Sequence, residues 1–349
     1  MLPCGVFNRN PQQDMAIVRT KTQWLLLVLA VVFLAIVVIW LSPEWQTWLI
    51  TAGIYVVAVM GLHITTGLCG QFAMGHAAFM AVGAYGTAVL TGNYGWSPWL
   101  TLPLSGLMAG LIGMMFGIPA LRIKGLYLVM ATIAAQFVIM FVIKQPQSWG
   151  QGVGLHVAQL SAGDSVFTKV QFWWVTLAIV LVAVFYAKNI QRTSPGRKMV
   201  AVRDNDLAAE VMGINLFRTK LLAFFLGCFF AGISGWLMAH HLRYLHPDIF
   251  SFNLSLILLG MVIIGGMGST SGAVLGVIFM QILDKLTARY LSPAVMEWMP
   301  SGTSSSVGPA LQLVVYGLVI VAFLLFEPRG IQHRVEKIKL YYRLRPFSY

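Results

Sequence analysis

The sequence predicts an all-α polytopic membrane protein with eight to ten transmembrane helices, some of them short or interrupted by glycine. Of its 349 residues, 58% are hydrophobic and only 10% are charged, whereas a soluble domain has roughly 25% charged residues. The apolar residues form runs long enough to cross a bilayer as helices. Tryptophan recurs near the ends of these runs, as in the aromatic belts at membrane interfaces.

The apolar runs divide the chain into a transmembrane domain, 23–326, between a polar tail, 1–22, and a basic tail, 327–349. We expect helices at 23–41, 45–66, 72–90, 99–119, 126–143, 171–187, 221–240, 254–264, 272–283 and 309–326. The eighth and ninth runs are short enough to be half-helices or a re-entrant pair, which would leave eight full crossings.

The basic residues predict the orientation. Of the 23 Lys and Arg residues, 18 lie before the first run, at Arg122 and Lys124, in the loop 188–220, or after Glu327. Basic loops remain in the cytoplasm, and these four places share one side whether ten or eight runs cross. Both termini are therefore expected in the cytoplasm, and Lys285 and Arg289 are the exceptions to this topology. Because topology accounts for the net charge of +12, no nucleic-acid partner is predicted.

A glycine-rich stretch at 61–90 stands out among the apolar runs. Gly67, Gly70 and Gly75 surround Gln71, and each glycine costs a helix roughly 1 kcal/mol relative to alanine. We therefore predict a break in the helix here. Non-helical backbone at membrane depth is tolerated only where protein or a water-filled cavity satisfies it, so the break indicates either a substrate path or close packing of small residues.

A second glycine cluster, at 265–268, echoes the first and also divides two apolar runs. Paired broken segments in the two halves of a chain are typical of transporters built from repeats. The polar residues inside the runs are His63, Gln71, His76 and Gln136, with no Asp or Glu deep in a run. Their neutrality argues against a proton- or sodium-coupled carrier and favours a path driven by an external motor.

The sequence has no G-x-x-x-x-G-K-[ST] phosphate loop and no hydrolase or zinc-protease motif. We therefore expect no catalytic residue, no metal site and no cofactor, and we look to a partner for energy.

The loop 188–220 contains a candidate two-turn amphipathic helix. Asp204, Asn205 and Asp206 are good N-cap residues, and Gly213 suits the position after a helix C-terminus. Leu207 and Val211 would share one face. A helix this short must pack on something, either on this chain or on a partner, and both interpretations remain open.

Four stretches resemble, in order, the signatures of ABC permeases for branched-chain amino acids and related amides. They are GLCGQFAMGHAAFMAVGAYGTAVL from Gly67, RIKGLYLVMATIA from Arg122, SPGRKMVAVRDNDLAAEVMGINLFRTKLLAF from Ser194, and FEPRGI from Phe326. The resemblance covers roughly residues 45–331 and is closer to the M-type of the two paired permeases.

The resemblance implies a subunit of an importer in the bacterial cytoplasmic membrane. Its expected partners are a homologous permease that completes a heterodimer, two cytoplasmic ABC ATPases, a periplasmic or extracellular binding protein, and membrane lipid. The implied substrate path or gate comprises His63, Gly67, Gly70, Gln71, Gly75 and His76. The implied ATPase-coupling residues are Arg203, Asp206, Glu210 and Gly213.

The substrate class stays open at this point. His63 stands where the family pattern leads us to expect Asn, so a urea or short-amide permease is an alternative to an amino acid permease. An ion-coupled amino acid carrier and a membrane scaffold without transport activity are more distant alternatives.

Overall fold

The computed structural model describes residues 21–120, 126–145, 154–162, 165–296, 304–327 and 329–344. Within these ranges the chain is a bundle of α-helices with four strands of two residues each. The polar residues 1–20 and the basic pair Arg122 and Lys124 lie outside the described residues.

The first part of the chain forms five helices that follow the predicted apolar runs. They are α1 (Lys21–Trp40), α2 (Pro43–Leu62, continued by a wider π-helical turn at His63–Leu68), α3 (His76–Gly92), α4 (Pro98–Ala120) and α5 (Leu126–Lys144). The predicted loop that follows carries the strands β1 (Leu155–His156), β2 (Ser161–Ala162) and β3 (Ser165–Val166).

The remaining helices include two in the long basic loop. They are α6 (Lys169–Ile190), α7 (Ser194–Asp204), α8 (Asp206–Val211) and α9 (Leu216–Leu242). After β4 (Tyr244–Leu245) and a 3₁₀ turn come α10 (Phe252–Gly265), α11 (Thr270–Leu286, with a π-helical turn to Leu291), α12 (Ser292–Met296), α13 (Ser304–Phe326) and α14 (Gly330–Leu344).

Six helices in the described part of the chain are long and apolar enough to cross a membrane. They are α4, α5, α6 and α9, together with α2 and α11, each counted with the π-helical turn that continues it. A seventh candidate is the pair α13 and α14, which meet at a bend of 49°. The shorter apolar helices include α1 and α10. This composition confirms the predicted class, an all-α polytopic membrane protein.

Helix α9 lies at the centre of the bundle and packs against α2, α3 and α4. Small residues allow the close approach: a Cβ atom on Gly83 of α3 would lie 2.3 Å from the carbonyl oxygen of Gly232 on α9. The buried Trp236 fixes the far end of α9, because its indole N–H donates to the carbonyl oxygen of Pro98, 3.0 Å away. The centre of the molecule is therefore a packed core of small and apolar side chains.

The connections gather at two ends of the bundle. One end, which we call the basic face, holds the loop 191–215, the start of α14 and the two glycine clusters. Arg203 of the loop donates to Gly67 in the first cluster and lies next to Gly268 in the second, and Gly330 of α14 also packs on the second cluster. The other end, which we call the opposite face, holds the antiparallel pair β1–β4 and an ion pair of 2.8 Å between Lys144 and Asp248.

Two sequence expectations need correction. The third apolar run was expected to be helical from Phe72, but residues 69–75 are not helical and α3 begins at His76. The chain reverses at Gly70, whose φ of +70° is incompatible with a continuous right-handed helix. The basic loop was expected to hold one short helix and holds two. The missed helix α7 has a recognisable start, because the Thr193 hydroxyl accepts a hydrogen bond from Gly196 N and Pro195 lies in the first turn.

Candidate functional site

The predicted break in the membrane helix lies at the basic face. Helix α2 widens into its π-helical turn, and residues 69–75 then form no helix before α3 begins. Gly70 has a φ of +70°, which side-chain-bearing residues rarely adopt. The backbone N–H of Gln71 turns back to the carbonyl oxygen of Thr65 at 3.0 Å. Glycine at position 70 thus permits the reversal by which the chain leaves α2.

Side chains from other helices satisfy the N–H groups at the start of α3. A helix start leaves four N–H groups without intrahelical partners. Met74 N donates to the Thr132 hydroxyl at 3.1 Å, and Ala77 N donates to the Ser255 hydroxyl at 2.9 Å. The break is therefore held by α5 and α10 as well as by its own chain.

Gln136 is the hub of this capping arrangement. Its side-chain oxygen accepts from Ala78 N at 2.9 Å and from the Ser255 hydroxyl at 3.1 Å. Its amide nitrogen donates to the carbonyl oxygen of Phe250 at 2.9 Å. The sequence marked Gln136 as a buried polar residue but gave no role to Thr132 or Ser255. Hydroxyl residues inside apolar runs were the signal that could have found them.

Two of the expected path residues are enclosed by packing. His76 is buried, and its Nε2 lies 3.0 Å from the carbonyl oxygen of Ala58, so Nε2 carries the proton of this hydrogen bond. A Cβ on Gly75 would lie 2.3 Å from the carbonyl oxygen of Thr132. Both residues therefore hold the start of α3 in place in this conformation.

Other expected path residues present unsatisfied polar atoms. His63 and Gln71 are buried, and both amide atoms of Gln71 and Nδ1 of His63 have no hydrogen-bond partner among the described residues. Nε2 of His63 lies 3.3 Å from the side-chain nitrogen of Gln191, at the end of α6. A buried polar atom without a partner costs about 1–3 kcal/mol. Such atoms mark a place where water or a polar solute would be stabilised.

The second glycine cluster breaks the chain between α10 and α11 at the same face. Gly266 and Gly268 have φ of +111° and +97°, and Ser269 caps α11 by accepting from Gly272 N at 3.1 Å. A Cβ on Gly67 would lie 3.1 Å from the backbone nitrogen of Gly268. The two breaks, which are far apart in sequence, are thus in direct contact.

Arg203, at the end of α7, lies between the two breaks. Its Nη1 donates to the carbonyl oxygen of Gly67 at 2.9 Å, and its Nη2 lies 2.9 Å from the Asp204 carboxylate. A Cβ on Gly70 would lie 2.9 Å from Cγ of Arg203, and one on Gly268 would lie 3.1 Å from Nη1. The loop that carries α7 and α8 is therefore bonded to the first break and touches the second.

Helix α8 has the limits that the sequence predicts. The Asn205 side chain accepts from Ala208 N at 3.0 Å, so it is the N-cap among the three candidates. Gly213, with φ of +80°, ends the helix, and its N–H donates to the carbonyl oxygen of Glu210 at 2.9 Å. An ion pair of 2.7 Å between Asp206 and Lys220 fastens α8 to the start of α9.

The faces of α8 differ in burial. Ala209 is buried, and the Leu207 and Val211 side chains are 68% and 87% exposed. Glu210 is exposed on the same helix. The sequence left open whether this helix packs on its own chain or on a partner. Packing on its own chain accounts for the burial of Ala209, but it leaves Leu207 and Val211 largely exposed.

Comparison with known proteins identifies the family. The family described as "Branched-chain amino acid transport system / permease component" matches residues 45–324. The chain belongs to this family. The match includes both glycine breaks, Arg203 and helix α8, so the site described above lies within the branched-chain permease domain.

Several curated permeases resemble the chain over much of its length. It is 28% identical over 296 residues to the high-affinity branched-chain amino acid transport system permease protein LivM of Escherichia coli K12, covering 74% of this chain and 70% of LivM. It is 26% identical to the probable branched-chain amino acid transport permease protein LivH of Methanocaldococcus jannaschii, covering 81% of this chain and 90% of LivH.

A further relative is named for the import of a different solute. The autoinducer 2 import system permease protein LsrC of Escherichia coli O9:H4 is 28% identical over 187 residues, covering 52% of this chain and 49% of LsrC. No solved structure matches the chain. Membership of the branched-chain permease family thus identifies a transport permease, and the proteins similar to the chain are named for different solutes.

Proposed function

We propose that this chain is one of two homologous membrane subunits of an ATP-driven importer for branched-chain, aliphatic amino acids. In this proposal the basic face, and with it both termini, lies in the cytoplasm, where two ABC ATPases bind. A binding protein delivers the substrate to the opposite face. The chain contributes half of the translocation path and hydrolyses no ATP itself.

The exposed apolar side chains of α8 are the observation on which the proposal chiefly rests. Leu207 and Val211 project from a short helix whose other side is fixed by Ala209 and by the Asp206–Lys220 ion pair. Burying a Val or Leu side chain contributes about 1.5–3 kcal/mol. A partner that covers both side chains would gain this energy, and we assign the covering surface to an ATPase.

Arg203 supplies a route from this helix to the path. It belongs to the same loop as α8, and its guanidinium is bonded to Gly67 and touches Gly268. A displacement of α8 by an ATPase would reach both breaks through this one side chain. We propose that the two breaks act as hinges and that the path opens beside the unpaired polar atoms of His63 and Gln71.

The relatives named for branched-chain amino acids support the substrate class. The buried polar groups near the breaks are neutral amide, imidazole and hydroxyl groups, which suit a small zwitterion with an aliphatic side chain. LsrC is a relative with another solute in its name, and His63 departs from the expected Asn. A urea or short-amide permease of the same family is therefore the second candidate.

Reconstitution of the whole importer tests the proposal. The chain would be assembled with its sister permease, the ATPases and the binding protein in liposomes, and ATP-driven uptake of leucine, isoleucine and valine compared with that of urea and acetamide. We expect uptake of the three amino acids and none in liposomes that contain this chain alone. Uptake of urea or acetamide but not of the amino acids would favour the second candidate, and concentration of solute by this chain alone would refute the proposal.

A further inference from the structure

A cavity of about 320 Å³ opens at the opposite face, far from both glycine breaks. Its walls come from the starts of α2 and α6, the loop before α6, and the end of α9. The volume falls at the lower limit of small-molecule sites, which range from roughly 300 to 1,000 Å³. Gly67 lies at the other end of α2, so this cavity is separate from the site described above.

The cavity has an apolar wall and a cationic rim. The buried side chains of Ile50, Leu160 and Phe172 form the wall, and Lys169 and Arg243 are exposed at the rim. The described residues that line the cavity include no Asp or Glu. Lys169 Nζ lies 3.4 Å from the Thr47 hydroxyl, a neutral partner. Among the residues that the structure describes, the cavity therefore offers positive charge that no carboxylate of its wall neutralises.

These cations are unusual for their side of the protein. Basic residues concentrate on the cytoplasmic side of membrane proteins, and most of those in this chain lie in the four basic clusters. At the opposite face, Lys144 is paired with Asp248 at 2.8 Å, and the Lys285 ammonium lies 3.1 Å from the ring centroid of Trp45. Lys169 and Arg243 differ from these two cations because they line the cavity, where their described side-chain partners are the neutral Thr47 and Gln159.

Arg243 occupies a backbone position at which glycine would be more stable. It follows the C-terminus of α9 with a φ of +62°, and it is the sole residue other than glycine with a positive φ in the described part of the chain. This conformation costs an ordinary residue roughly 1–2 kcal/mol. When the Gln159 amide is oriented with its oxygen towards Arg243, the guanidinium donates to that oxygen alone among side-chain acceptors in the described residues. Arginine has five N–H donors. In the described part of the chain the other N–H groups have no further side-chain partner, so they can donate to a ligand.

His240 belongs to the wall of the cavity and carries one buried polar atom without a partner among the described residues. Its Nδ1 lies 3.0 Å from the carbonyl oxygen of Ala158, which can only accept, so Nδ1 carries the proton. Nε2 of this buried residue is then an acceptor, and it has no hydrogen-bond partner among the described residues. The cavity thus combines two cations at its rim with an aliphatic and aromatic wall.

We propose that this cavity binds a small aliphatic carboxylate, and in particular a free amino acid held by its carboxylate at Lys169 and Arg243 and by its apolar side chain against Ile50 and Phe172. It would act as a staging site on the side where the substrate arrives. That role rests on the proposed function, whereas the binding chemistry depends on the cavity alone.

Direct binding tests the site without the binding protein. The assembled membrane complex would be placed in lipid nanodiscs, and radiolabelled leucine binding measured at equilibrium in competition with 4-methylpentanoate and leucinamide. We expect 4-methylpentanoate, which keeps the carboxylate, to displace leucine, and leucinamide, which lacks it, to compete at least about tenfold less well. Equal competition by leucinamide, or no leucine binding in nanodiscs of either neutral or anionic lipid, would overturn the proposal.

Variants locate the binding within the complex. Lys169→Gln and Arg243→Gly should each weaken leucine binding about tenfold, and Arg243→Lys should retain part of the affinity. Arg243→Gly also relieves the backbone strain, so misfolding would not account for its loss of binding. Lys144→Gln is the matched control, because Lys144 is a cation at the same face that does not line the cavity. Unchanged affinity in both cavity variants would refute the site.

ATP-driven uptake separates this inference from the proposed function. If leucine binds with the expected variant effects but is not transported, the importer assignment fails and the site stands. If leucine is transported but the cavity variants bind it normally, the site fails and the importer assignment stands.

Discussion

The Arg203 guanidinium donates a hydrogen bond to the carbonyl oxygen of Gly67 at 2.9 Å, across 136 residues of sequence. It thereby joins the loop that carries α8 to the last turn of α2, where the membrane helix breaks. The same guanidinium borders Gly268 of the second break. One charged side chain thus connects the loop that carries the exposed helix α8 to both glycine breaks.

Replacement of Arg203 should uncouple ATP hydrolysis from transport. A hydrogen bond from a charged group contributes about 1.5–3 kcal/mol, so its loss corresponds to roughly tenfold or more in the equilibrium between hinge positions. We expect Arg203→Ala to lower ATP-driven uptake in liposomes at least about tenfold while ATP hydrolysis by the complex continues. Arg203→Lys should retain part of the uptake.

The control for this prediction is Arg197→Ala. Arg197 lies on the same helix α7, but its Nη1 donates to the carbonyl oxygen of Arg192 within the loop, at 2.6 Å. Its replacement should leave the ratio of transport to hydrolysis unchanged. If Arg203→Ala and Arg197→Ala gave the same ratio, Arg203 would not be the link.

Polar substitution on α8 should weaken ATPase binding without destabilising the permease. Leu207 and Val211 are 68% and 87% exposed, so Leu207→Ser with Val211→Ser removes little packing within this chain. Each side chain contributes about 1.5–3 kcal/mol if a partner buries it. We expect the double variant to recover less than about a tenth of the normal ATPase in purification of the complex. Its Tm in detergent should match that of the unmodified permease, and a normal yield of ATPase would contradict the assignment of this surface.

The sequence predicted most of the architecture and part of the site. Apolar runs located the membrane helices, and the crowding of Gly67, Gly70 and Gly75 located the break, because both are local features. The interactions that hold the break are not local: Gln136 meets Ala78 and Ser255 only after three helices have packed together. The sequence marked Arg203 as a candidate but missed helix α7, and it cannot reveal that the partner of Arg203 is a carbonyl oxygen 136 residues away.

Removal of the capping amide should destabilise the permease. Gln136→Leu keeps a side chain of similar size but removes the donor to the carbonyl oxygen of Phe250 and the acceptor of the Ser255 hydroxyl. Ala78 N also loses its bond to Gln136, although it still donates to the carbonyl oxygen of Gly75 at 3.2 Å. A buried polar group left unpaired costs about 1–3 kcal/mol. We expect a measurable fall in Tm in detergent. Val138→Leu is the control on the same helix, because Val138 is 49% exposed; an equal fall in both variants would assign the effect to general packing of α5.

The ion pair at the opposite face should respond to acid. The hydrogen bond from the Lys144 ammonium holds the pKa of the exposed Asp248 carboxyl below its ordinary value of 3.8. Because the folded pKa is the lower one, the pair stabilises the fold above pH 3.8 and loses this contribution as the pH falls through the folded pKa.

The measurement is the difference in Tm between the unmodified chain and Lys144→Gln. Exposed pairs are weak and screened by salt, so the difference should be small at pH 7, smaller in 1 M salt, and absent in strong acid. A difference that grew on acidification would show that another group controls the response.

Comparison of two glycines isolates the contact between the first break and Arg203. Gly70 and Gly95 have φ of +70° and +64°, so alanine at either position incurs a similar cost, roughly 1–2 kcal/mol. A Cβ on Gly95 would have nothing within 4 Å, whereas one on Gly70 would lie 2.9 Å from Cγ of Arg203 and displace that side chain. Both variants should therefore lose similar stability, but Gly70→Ala alone should uncouple hydrolysis from uptake as Arg203→Ala does. Gly95→Ala carries the same backbone strain, so uncoupling in both variants would assign the defect to lost stability. If neither variant uncoupled hydrolysis from uptake, the contact between Arg203 and Gly67 would not be needed for coupling.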